Sequence, residues 1–160
     1  MKHSKAKKQP TSTPRPPDTQ AQPRLKGTRK EVSPEYRLLI APHFDERKQR
    51  YTTRVALETV KTFASFRYDL TVKEQIDDGT ISYTIVGLNA PQLSLPGAGT
   101  ARYSKEYDGL SGSYHVSVKG LDGKVSTVDV RVRPTDVKII KPPAGRLIDV
   151  VTDERLWESE

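Results

Sequence analysis

The chain contains no cysteine. Disulfides, thiolate metal sites and a thiol nucleophile are therefore all excluded. Apolar and aromatic side chains are also sparse. Hydrophobic residues fill 34% of the 160 positions and aromatic residues 7%, with one tryptophan and one methionine. Such a chain fits one domain of ordinary size plus some tail. Long hydrophobic runs are missing. The longest are about four residues, such as Leu38 to Ala41, against the ~20 that a membrane-spanning helix needs. No apolar stretch lies between Met1 and Arg24, so the basic start lacks the core of a secretory signal. The expected location is cytoplasmic, with no membrane partner.

The charge that is present is unevenly placed. The chain carries 27 Lys and Arg against 20 Asp and Glu, a formal +7. Residues 1–31 hold nine of the cations (Lys2, Lys5, Lys7, Lys8, Arg15, Arg24, Lys26, Arg29 and Lys30) and only Asp18 and Glu31 as acids. Residues 149–160 hold Asp149, Asp153, Glu154, Glu158 and Glu160 against Arg155 alone. The front is basic, the middle nearly balanced and the end acidic.

Residues 1–35 contain no aromatic side chain, and five prolines, Pro10, Pro14, Pro16, Pro17 and Pro23, fall within the first 23 positions. Proline removes backbone donors and steers its predecessor away from helix. The segment cannot bury enough surface to offset its ordering entropy. It is expected to be a disordered, extended arm over 1–35, in which Pro14-Arg15-Pro16-Pro17 matches the minimal P-x-x-P ligand pattern.

From Tyr36 the pattern has period two, which marks strands with one buried face. Phe66, Tyr68, Leu70 and Val72 alternate with Arg67, Asp69, Thr71 and Lys73, and Ile81, Tyr83 and Ile85 follow after the turn Asp77-Asp78-Gly79-Thr80. This predicts a β-hairpin. Ala101, Tyr103 and Tyr107 form another alternating set. Tyr114, Val116 and Val118 lead through Leu121-Asp122-Gly123-Lys124 to Val128, Val130 and Val132, a second hairpin. Tyr36 to Ile40, Val137 with Ile139, and Leu147 to Val151 suggest further strands. Residues 51–64 fit either a strand or one helix face. Their β-branched composition favours a strand over 51–58, then a turn or a single helical turn.

About eight strands with turns between them predict an all-β domain over 36–151, an antiparallel β-sandwich, with a small β-barrel as the alternative. The stretch Leu110-Ser111-Gly112-Ser113-Tyr114-His115-Val116 resembles the tyrosine corner of immunoglobulin-like domains. Val116 stands where those domains carry their second cysteine. The resemblance implies an immunoglobulin-like sandwich at fold level and no function. Residues 152–160 form an acidic tail or short helix, which Thr152 could cap, with Asp153 and Glu154 in its first turn.

A search for catalytic or metal chemistry returns little. His43 precedes Phe44-Asp45-Glu46, but no second His cluster completes a metal shell, so a solvated loop is expected there. His115 falls on the polar parity of its strand. Asp77-Asp78-Gly79 and Asp122-Gly123 lack the distal bidentate Glu of a calcium loop and read as turns. Gly97-Ala98-Gly99 precedes a strand rather than a helix, so it is a flexible loop and not a phosphate cradle. No serine sits in a nucleophile elbow. No catalytic residue, metal or cofactor is assigned, and the chain is expected not to be an enzyme.

Two functions remain. In the first, the domain is a protein-interaction module. Its candidate partner contacts are Leu93 and Leu95, in the proline-bounded loop 87–97, and Trp157, which either docks on its own body or anchors a partner. In the second, the chain associates with nucleic acid. Its candidate phosphate contacts are Lys5, Lys7, Lys8, Arg15, Arg24, Lys26, Arg29 and Lys30. The arm has no aromatics to stack on bases, so composition alone puts the protein partner first.

Overall fold

The computed structural model describes residues 33–90 and 96–158. The chain runs β1 (Tyr36–Asp45), β2 (Arg50–Phe63), β3 (Asp69–Asp77), β4 (Thr80–Asn89), β5 (Gly99–Tyr107), β6 (Gly112–Lys119), β7 (Val125–Arg133), β8 (Asp136–Ala144), β9 (Ile148–Val151) and a short helix α1 (Glu154–Glu158). The described part is all-β, as expected. The strands form one sheet in the order β8-β7-β6-β4-β3-β5-β2-β1-β9, and β8 curls round to lie beside β1 and β9.

Both expected hairpins form. β3 and β4 turn through Asp78-Gly79, and β6 and β7 through residues 120–124. Gly79 (φ 73°) and Gly123 (φ 83°) take the left-handed backbone that other residues adopt only under strain. The sheet is not purely antiparallel, however. β1–β9, β4–β6 and β3–β5 run parallel. Alternation reports which face of a strand is buried and says nothing about the direction of a neighbour reached by a crossover.

Three element boundaries also differ from expectation. β2 continues as strand to Phe63 with no helical turn, because β1 and β5 flank it. β3 starts at Asp69, which leaves Phe66 outside the strand and exposed. β4 extends through Asn89 and β5 begins at Gly99, so both ends of the expected 87–97 loop lie in or beside strands. The body begins before Tyr36, since the Glu35 N–H donates to the Leu147 carbonyl at 3.0 Å.

One core fills the inside of the sheet. Leu38, Ile40, Val55, Leu57 and Ala101 meet Ile81, Tyr83, Ile85, Val116, Val118 and the Val128-Val130-Val132 series there. A smaller cluster lies on the outer face of β1 and β2, where Trp157 packs on Leu39, Ala41 and Ala56. This explains why Leu38-Leu39-Ile40-Ala41 does not alternate: β1 is buried on both faces. Asp153, rather than Thr152, caps α1, its Oδ1 accepting the Arg155 N–H at 3.0 Å.

Candidate functional site

The interruption of the β2–β5 ladder creates the most distinctive surface. Between Glu58 and Thr62 the pairing slips, four residues of β2 advancing against two of β5. The Thr59 hydroxyl repairs the break. It accepts from the Ala101 N–H at 2.9 Å and donates to the Lys61 carbonyl at 2.8 Å. Such a bulge re-aims the side chains that follow it, here Val60, Lys61 and Phe63.

The β2–β3 connection adds Phe66, Arg67 and Tyr68 at the same end. Phe63 meets Tyr68 edge-on at 4.9 Å, Phe66 meets Tyr68 at 6.3 Å, and Lys61 Nζ lies 5.4 Å from the Phe63 ring centre. Tyr68 is fixed by its carbonyl, which accepts the Arg102 N–H at 3.1 Å. Beside this aromatic group lies a polar cavity of about 340 Å³ lined by Arg67, Tyr68, Asp69, Gly99, Thr100 and Arg102. The Arg67 stem crosses Gly99 so closely that a Cβ there would sit 2.8 Å from Cγ. Arg102 is held from behind by Glu58, only 4% exposed, whose Oε2 accepts from Arg102 Nε at 2.6 Å and from Thr100 Oγ1 at 3.1 Å. Arg37 closes the other side of Glu58 at 3.2 Å. Arg67 has no acidic partner within salt-bridge distance among the described residues.

An apolar groove of about 450 Å³ adjoins this surface through Lys61 and Phe63, and Pro34, Tyr36, Val60 and Leu88 also line it. Val60 is 45% exposed and Leu88 42%. Pro34 stands two residues before the start of β1, so β1 begins at this end.

No family model, curated protein or solved structure matches this chain.

Two other polar clusters have structural explanations. His43 lies in β1 rather than in a solvated loop, because β2 pairs with it as far as Asp45. Arg54 Nη2 donates to His43 Nε2 at 2.9 Å. A guanidinium only donates, so Nε2 accepts and the ring proton sits on Nδ1, which faces Glu154 Oε2 at 3.3 Å. Arg54 also binds Glu154 directly, and Glu106 at 3.1 Å. The imidazole lone pair is occupied, and the cluster fastens α1 to β1, β2 and β5. Among the described residues no group of three or more His, Asp or Glu is placed to hold a metal.

The second cluster closes the seam between β3 and β5, whose ladder is the single pair Asp69–Arg102. Glu74 accepts from Tyr107, from Tyr103 at 3.3 Å and from Lys105 at 2.7 Å, and the Tyr107 and Tyr83 hydroxyls lie 2.9 Å apart. Burial alone would raise the Glu74 carboxyl, but the bonds from Lys105 and Tyr107 and the lysine charge outweigh it, leaving the carboxyl below its ordinary range. Burial and the Glu74 charge push the Tyr103 phenol up to about 12, and burial raises Tyr83 and Tyr107 as well.

Of the residues singled out from sequence, Trp157 is 9% exposed and docked on its own body, with Arg37 stacked 4.9 Å from its ring. Leu93, Leu95 and all eight candidate phosphate contacts lie outside the described residues. His115 is exposed and bonded to Asp129. The reading from sequence missed the 61–68 surface because it placed Phe66 and Tyr68 on a buried strand face. The available signal was the stretch Lys61-Thr62-Phe63-Ala64-Ser65-Phe66-Arg67-Tyr68, where two cations and three aromatics are mixed without a continuous period of two.

Proposed function

We propose that the chain is a non-enzymatic binding protein that associates with nucleic acid through one end of its sheet, aided by the basic segment that precedes the sheet in sequence. The observation that carries this reading is the placement of Pro34 in the groove shared with Lys61 and Phe63. The cations of residues 1–31 are covalently tethered to the end that bears Lys61, Arg67, Arg102 and three clustered aromatic rings. A tether converts a second contact into an intramolecular one and raises its effective concentration. The objection drawn from composition, that basic charge and stacking side chains are in different parts of the chain, loses its force in this arrangement. We read the sheet as two layers, β8-β7-β6-β4-β3 facing β5-β2-β1-β9, because one residue pair joins β3 to β5 while both groups line one core. The Tyr114 hydroxyl, which donates to the Ser111 carbonyl at 3.3 Å, supports the tyrosine-corner part of the immunoglobulin-like resemblance.

The test is binding of a labelled oligonucleotide to the full chain across a salt series. Log affinity should fall linearly with log salt, at roughly 0.7 per phosphate contacted for a single strand. A full-length variant with Lys5, Lys7, Lys8, Arg15, Arg24, Lys26, Arg29 and Lys30 changed to Gln should bind more weakly with a shallower slope. Absence of binding at low salt would remove the proposal.

A second reading, the protein-interaction module, is favoured by the groove between Val60, Phe63 and Leu88. It predicts that Leu88→Glu abolishes capture of a partner identified by mass and leaves oligonucleotide binding unchanged.

A further inference from the structure

We infer that the Arg67–Arg102 cavity and the Phe63–Tyr68–Phe66 cluster form one platform that selects single-stranded nucleic acid over duplex, with a phosphate in the cavity and a base on the exposed ring of Phe66. This rests on the nucleic-acid reading above and assigns the choice of ligand to the body rather than to the basic segment.

The chemistry favours a single strand for three reasons. First, a duplex hides its base faces within the stack, whereas Phe66, 40% exposed, offers a ring on which an unpaired base can stack. Tyr68, which meets Phe66 edge-on at an interplanar angle of 76°, holds that ring in place. Second, beside that ring the cavity presents the Arg67 guanidinium and the two Nη groups of Arg102, whose Nε is taken up by Glu58, against the one lining carboxylate of Asp69. Guanidinium groups match phosphate oxygens with paired N–H donors. Third, Arg102 is pre-positioned and the Arg67 stem packs over Gly99. Glu58 and Thr100 orient Arg102, and the missing Cβ at Gly99 gives the Arg67 stem its seat. Side chains held in place before binding lose less entropy on complex formation. Arg102 also neutralises the buried Glu58, so its removal would disturb folding. Arg67 and Phe66 carry no such duty and are the residues to change.

Fluorescence anisotropy of the full chain with labelled oligothymidylate, and with a duplex of the same length, tests the inference. The parent should bind the single strand more tightly. Phe66→Ala and Arg67→Ala should each weaken single-strand binding, Phe66→Ala by about tenfold or more, with duplex binding little changed. Both positions are exposed, and far-UV circular dichroism with a melting curve checks that each variant keeps the parent fold. Gly99→Ala, which displaces the Arg67 stem, should weaken single-strand binding in the same direction. If parent and variants bind both ligands alike, the platform is refuted while the charge-driven reading stands. If the parent binds neither ligand at low salt, both fall together.

Discussion

Trp157→Ala is the sharpest probe of how the C-terminal segment is held. α1 has five residues, and a helix that short has no stability of its own in water. Trp157 is its only buried side chain, resting on Leu39, Ala41 and Ala56. Burying a tryptophan removes about 150–250 Å² from water. At about 25 cal/mol/Å² that is about 4–6 kcal/mol as an upper bound. The Arg37 stack adds about 0.5–1 kcal/mol. Against this, an undocked tail regains backbone freedom at about 1–2 kcal/mol per residue released, and Arg54 and His43 still hold Glu154. The expected net loss is about 3 kcal/mol. Urea unfolding followed by far-UV circular dichroism would read it as a lower midpoint at unchanged slope. The chain has a single tryptophan, so emission from the parent reports this site alone and should be blue-shifted and shielded from acrylamide. Trp157→Phe should recover most of the stability. A loss below about 0.5 kcal/mol, the range of ordinary surface changes, would refute the docking argument, as would parent emission typical of water-exposed indole.

Gly145→Ala should destabilise by about 2–4 kcal/mol in the same assay. Its backbone has φ 89°, and a Cβ would sit 2.6 Å from Ser126 Oγ, which is fixed by the Leu147 N–H at 3.0 Å. Glu74→Gln should flatten the acid limb of the stability curve. The folded carboxyl lies below its ordinary value, so its stabilisation is complete above the unfolded pKa of about 4.3 and is lost as pH falls through the folded one. Parent and variant should therefore differ most at neutral pH and converge in acid, and parallel curves would refute the assignment. The raised phenols act in the opposite direction: stability should fall as pH rises above about 10, the unfolded tyrosine value, and continue to fall through the Tyr103 value of about 12, with Tyr83→Phe reducing the drop. Tyr114→Phe should cost under about 1 kcal/mol, because its hydroxyl makes one 3.3 Å bond at a half-buried site; a larger loss would refute that reading of the bond.

Local pattern carried much of the fold. Alternation at Ile81-Ser82-Tyr83-Thr84-Ile85 and at Val128-Asp129-Val130-Arg131-Val132 states which side chains face inward, since successive residues in a strand point to opposite faces. Asp78-Gly79 and the 120–124 stretch place turns where the backbone must bend. These signals span few residues and are legible in order along the chain. The non-alternating run at Leu38 to Ala41 was legible too, but its cause lies more than a hundred residues away, in Trp157.

Tertiary structure alone decided which strands became neighbours. Nothing local in β4 specifies that β6, and not β5, lies parallel to it, or that β9 returns beside β1. Strand pairing is chosen by the packing of the whole core, where the apolar faces of all nine strands compete for the same interior. The candidate site is legible only at that level. Lys61, Phe66 and Arg67 are close in sequence, but Gly99, Thr100 and Arg102 arrive from β5, and Pro34 from the start of the body. Sequence set the chemistry of each of these side chains and the basic charge of the leading segment. Their convergence on one end follows from the slipped β2–β5 ladder and the junction of β3 with β5, both of which exist only once the sheet has formed.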